Sequence, residues 1–118
     1  MKLSVNKEIV CRIPRARLHR LAEIIARKEC IDSVAALNLV LVDDVAQRRM
    51  NSEYRNRNMT TDVLSFSYES DEFSQLIGEI YISVPQTRKQ AMEFGYSFSE
   101  ELLRLFCHGL LHIVGYDH

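Results

Sequence analysis

The chain has 118 residues, 47% of them hydrophobic, enough for one core and too little for two, so a single domain spanning 1–118 is expected. Fifteen Lys and Arg against sixteen Asp and Glu give a formal charge of -1, so no global field recruits nucleic acid or a membrane, and any such partner must be met by a local patch. Cys11, Cys30 and Cys107 form no CxxC pair and no even disulfide framework, which fits a reducing cytoplasm; no segment has the apolar run of a signal peptide or a membrane span.

Leu3 and Val5 alternate with polar neighbours and predict a short first strand. Pro14 sits where a helix can begin, and Leu18, Leu21, Ile24, Ile25 and Lys28 recur at three- and four-residue spacing, the mark of an amphipathic helix. Leu37 to Val42 is a β-rich run ending at Asp43-Asp44, whose carboxylates suit the start of a helix through Val45, Met50 and Tyr54.

Thr61 to Phe66 and Leu76 to Ser83 predict two more strands, separated by the polar, acidic stretch from Ser67 to Ser74, which can pair as a hairpin with a long loop. Pro85 opens a helical segment through Ala91 and Met92 that closes near Gly95. Ser97 and Glu100 have the spacing of a capping box, and Leu102, Leu103, Leu105, Phe106, Leu110 and Leu111 carry a strongly apolar helix to Gly115. This order predicts an α+β, or mixed α/β, domain with helices packed on a small mixed sheet of about four strands.

The C-terminus is the most informative segment, since three of the four histidines, His108, His112 and His118, fall in its last eleven residues. His108 and His112 share one helix face at four-residue spacing, and Gly115 can turn the chain so that His118 returns to the same point. Three imidazoles bind zinc and leave a fourth position for water or substrate, and such neutral ligands acidify a bound water toward a pKa of about 7. One such pair of histidines is more often a hydrogen-bonded core feature, but the third, beyond a glycine turn, favours a metal site at this helix and turn, with one Zn2+ per chain.

Gly109 follows His108 where zinc proteases of the HExxH type carry their glutamate, so peptide hydrolysis lacks its usual base. Asp117 is a candidate to orient a ligand or accept a proton through water, although aspartate beside a glycine turn is more often a solvated loop residue. Cys107 is rotated off the His108 face and reads as a small core residue, and His19, among Arg15, Arg17 and Arg20, as an exposed one. A second cluster runs from Asn51 to Asn58, preceded by Arg48 and Arg49. Arg55 within it is a candidate for holding a phosphodiester through its planar fork, against the blander reading of a solvated helix end.

Tyr54-Arg55, Thr61 to Phe66, Gly78 to Ser83, Glu101 to Leu105 and the segment His108 to His118 together resemble the YbeY-type endoribonucleases, bacterial ribosomal-RNA maturation factors, over nearly the whole chain. The resemblance implies a zinc site at the three histidines and an arginine at Arg55 that matters for activity. It also implies cleavage of single-stranded RNA, 3′ end maturation of small-subunit ribosomal RNA, and ribosome quality control in the cytoplasm, with ribosomal RNA and the small subunit as partners. Thr60, Asn58 and Ser67 depart from the family's usual proline, aspartate and proline. The family usually continues for a further segment that helps cover the site; ending at His118, this chain is expected to lack that C-terminal extension and to set a terminal carboxylate beside the metal. Two other readings stand beside the nuclease. One is a hydrolase of another substrate such as a peptide, and the other a non-catalytic, zinc-stabilised ribosome assembly factor.

Overall fold

The computed structural model describes residues 1–54, 63–69 and 74–116. Strands β1 (Lys2–Lys7), β2 (Ala36–Val42), β3 (Val63–Ser67) and β4 (Leu76–Ser83) and helices α1 (Arg15–Lys28), α2 (Asp44–Tyr54), α3 (Val84–Phe94) and α4 (Phe98–Ile113) follow one another in the order β1-α1-β2-α2-β3-β4-α3-α4. The strands form one mixed sheet in the order β1-β2-β4-β3, in which β1 and β4 run parallel to β2 and β3 runs antiparallel to β4. This is the expected α+β fold with four strands, and the β3–β4 pairing is the expected hairpin.

Burial follows from position in the sheet. β1 lies at an edge and alternates, with Leu3 and Val5 half-buried between exposed neighbours. β2 is central, and its Leu37, Leu39, Val40, Leu41 and Val42 are all buried. One face carries the main core: Leu37, Leu39 and Leu41 of β2 with Ile80 and Ile82 of β4 meet Leu18, Ala22 and Ile25 of α1 and Leu102, Leu105, Phe106 and Leu110 of α4. Of the apolar residues that marked α1 in the sequence, Ile24 is exposed and Leu21 half-buried, because the buried face of the helix runs through Leu18, Ala22, Ile25 and Ala26.

Local caps set the helix starts. Asp43 Oδ1 accepts from the Ala46 amide at 2.8 Å to open α2, and Ser83 Oγ accepts from the Gln86 amide at 3.2 Å to open α3, whose Pro85 lies in its first turn. The buried Gln47 ties α2 to β4 by donating from Nε2 to the Tyr81 carbonyl at 3.0 Å. No described helix is long and apolar enough to cross a membrane.

α1 and α4 run side by side in the same direction. Arg17 lies near Glu100 at the start of α4, Leu21 and Ile24 share a groove with Leu103, and Glu29, just past α1, meets Tyr116, just past α4.

Candidate metal centre

α4 is built to hold its orientation. Ser97 Oγ accepts from the Glu100 amide and Glu100 Oε1 accepts from the Ser97 amide, both at 3.1 Å, which completes the capping box expected from the sequence. Glu100 is thereby held below the usual carboxylate range, first by the Ser97 backbone N–H and then by its hydroxyl.

Gly109 lets the middle of α4 touch the sheet. A Cβ there would lie 2.9 Å from Ile80 Cγ2, 3.0 Å from Ser65 Oγ and 3.2 Å from Val63 Cγ1, and the Ser65 hydroxyl donates to the Gly109 carbonyl at 3.3 Å. One turn on, Gly78 of β4 makes room for Ile113, whose Cδ1 would stand 2.6 Å from a Cβ at position 78. These two close approaches fix how far α4 stands above β3 and β4.

With Leu102, Leu105, Phe106, Gly109 and Leu110 turned to the core, the helical period puts Glu101, Arg104, His108 and His112 on one flank. His108 and His112 are half-buried, with ring centroids 5.6 Å apart and ring planes at 70°. Further along that flank Glu101 is fully buried and receives both Arg104 Nε and Nη2 at 2.8 Å, a bidentate pair with a half-exposed guanidinium. The position after His108 points into the sheet, so a glutamate there has no room, and the base of an HExxH protease has no counterpart in this fold.

The turn after α4 forms as the glycine predicts. Gly115 takes φ 106°, its amide donates to the His112 carbonyl at 3.2 Å, and the Tyr116 amide donates to the Leu111 carbonyl at 2.9 Å, the two bonds of a Schellman motif. The Tyr116 hydroxyl then donates to Glu29 Oε1 at 2.5 Å, fastening the turn to the end of α1; the Glu29 carboxylate holds the phenol above its usual range.

The structure therefore brings two of the expected ligands, His108 and His112, together on one flank. His118, Asp117 and Arg55 lie outside the described residues. Among the described residues no group of three or more His, Cys, Asp or Glu side chains is placed to hold a metal. The donor chemistry fits zinc, since two imidazoles one turn apart are a common half of such a site. Cys107 is half-buried and packs against the core, as expected of a small core residue, and burial pushes its thiol up. His19 is exposed, as expected.

The sequence reading did not single out Ser65, Glu29 or the burial of Glu101. Glu101 left a readable signal, an acidic residue beside Leu102 in the core register of α4 with an arginine three residues on, whereas the contacts of Ser65 and Glu29 span long separations and leave none.

Residues 5–118 match the family model described as Endoribonuclease YbeY. The chain belongs to the YbeY family. It is 42% identical over 103 residues to the Endoribonuclease YbeY of Ureaplasma urealyticum serovar 10, covering 86% of this chain and 66% of that relative. To the protein of the same name from Petrotoga mobilis it is 41% identical, covering 100% of this chain and 81% of the relative. A solution structure of a Thermotoga maritima protein superposes with a TM-score of 0.62 at 31% identity, covering 98% of this chain and 74% of that one. The chain spans 66% and 60% of the lengths of its Ureaplasma and Desulforamulus reducens YbeY relatives.

Proposed function

We propose that this chain is a metal-dependent endoribonuclease specific for single-stranded RNA, acting in the cytoplasm on ribosomal RNA and the small subunit, in 3′ end maturation and ribosome quality control. The observation that carries the reading is the half-buried pair His108 and His112 on one flank of α4, in a chain of a family whose relatives are named as endoribonucleases.

His108, His112 and His118 would hold one Zn2+. Bound there, the ion supplies Lewis acidity to a phosphate oxygen and acidifies water. In this reading Arg55 grips the scissile phosphate through its planar fork and stabilises the charge that develops on it. In the same reading Asp117 would serve as a proton relay. The tight seat of Gly109 on Ser65 and Ile80 holds the two imidazoles in register with the sheet, so the ligands need no reorganisation when substrate arrives. The lack of room after His108 favours RNA over a peptide substrate.

The test is cleavage of a labelled single-stranded RNA by wild type, by chelated and zinc-restored protein, and by Arg55→Ala. The reading expects cleavage that chelation stops, zinc restores and Arg55→Ala lowers by about a hundredfold or more. Stability lost on chelation, with no RNA cleavage in any of these samples, would instead make the metal a pin for α4 in a non-catalytic assembly factor.

A further inference from the structure

Charge is distributed unevenly over this nearly neutral chain. α1 holds Arg15, Arg17, Arg20, Arg27 and Lys28 against Glu23 alone, while the whole chain carries -1, so the remainder is net acidic. Arg12 precedes the helix and is exposed, as are Arg15, Arg17 and Arg20. Arg27 pairs with Glu23 at 3.0 Å, but among the described residues Arg12, Arg15, Arg17 and Arg20 make no ion pair. The first turn of α1 also contains no acidic residue, so Arg15 and Arg17 stand at an unfavourable end of the helix, which the Glu100 carboxylate near Arg17 offsets only in part.

An apolar strip runs beside them. Ile24, 47% exposed, joins Leu21 and Leu103 as the floor of an open groove of about 330 Å³, with Arg17 and Arg20 at its rim. Leu103 lies nine residues before His112, about half a turn away around α4, so the groove and the histidine flank occupy opposite sides of that helix.

We propose that the exposed face of α1, formed by Arg12, Arg15, Arg17 and Arg20 with the Leu21–Ile24–Leu103 groove, is a second RNA-binding surface, separate from the histidine flank. Exposed guanidiniums take the phosphodiester backbone by forked hydrogen bonds. The aliphatic floor between two of them suits the flat face of an unstacked base, and single-stranded RNA presents such bases with its charge. An acidic peptide matches the rim as well, but it does not bring the flat bases that the aliphatic floor suits. The inference rests on the nuclease reading only for the choice of RNA as the polyanion. The surface gives the protein a hold on its RNA remote from the bond to be cut.

The test measures binding of a fluorescent oligouridylate by anisotropy over a salt series, using the full chain in a His112→Ala background so that the RNA stays intact. Replacing Arg15, Arg17 and Arg20 together by Gln is expected to weaken binding by about tenfold or more and to flatten the slope of log affinity against log salt by about 2, while Arg→Lys at the same three positions keeps the slope. All three lie exposed on the surface, and matching melting curves confirm that both triple variants fold. An unchanged affinity and slope in the Gln variant overturns the proposal, as does competition by polyglutamate as effective as that by unlabelled RNA. Because the readout is binding, a wild type that binds with the expected slope and cuts nothing sinks the nuclease reading alone.

Discussion

The Ser65 hydroxyl donates to the Gly109 carbonyl at 3.3 Å, joining the edge strand β3 to the residue between the two histidines' turns on α4. The contact exists because Gly109 lacks a side chain, and it makes the height of α4 above the sheet a determinant of where His108 and His112 stand.

Gly109→Ala tests that dependence. Alanine is the better helix former by about 1 kcal/mol, yet its methyl would meet Ile80 Cγ2 at 2.9 Å on a buried, β-branched residue that has nowhere to go. Overpacking of this kind costs about 1–3 kcal/mol, so the clash wins. We expect a lower urea midpoint with an unchanged slope, together with weaker zinc uptake. A more stable variant would show that α4 can lift without penalty.

Arg104→Ala removes the partner of a carboxylate that has no exposure. Breaking a fully buried pair costs about 3–5 kcal/mol, but the guanidinium is half-exposed and water can reach the gap. We therefore expect a loss of about 1–3 kcal/mol, measured by chemical denaturation, with Glu101→Gln less damaging because it leaves no bare charge.

The cap at the start of α4 carries a pH signature. The folded-state pKa of Glu100 is depressed, so its contribution is full at neutral pH and is lost as pH falls below the ordinary glutamate range and through the depressed value. Ser97→Ala should cost about 1 kcal/mol at pH 7. The gap in melting temperature between variant and wild type should narrow in acid, and a gap that widens would contradict the capping account.

Cys30 adopts φ 53°, in the left-handed region, directly after Glu29 at the end of α1. A side chain there costs about 1–2 kcal/mol, whereas glycine adopts it freely and returns part of the gain through its looser unfolded state. Cys30→Gly should raise stability by up to about 1 kcal/mol in thermal melts. In the wild type, iodoacetamide should label exposed Cys30 well before Cys107, whose thiol is pushed up by burial.

Much of this architecture was legible where the signal was local. Alternation marked β1, the Ser97–Glu100 spacing marked the start of α4, and Gly115 marked its end, since capping and turn chemistry depend on a few consecutive residues. The placement of His108 and His112 on one flank followed from the helical period alone. What was not legible depends on contacts between distant segments: that Gly109 and Gly78 are closed by Ser65, Ile80 and Ile113, that Tyr116 is held by Glu29, and that Ile24 faces outward although it keeps the helical spacing. Helical spacing names a face, but only the neighbouring helix decides which edge of that face is covered.

The most direct measurement of the central claim is the metal content of the purified full chain, wild type and His112→Ala, by elemental analysis after expression without added metal. The account predicts about one zinc per wild-type chain and its loss in the variant, with RNA cleavage lost alongside it. A wild type free of metal that still cleaves RNA, or a variant that retains its zinc, would contradict the histidine site.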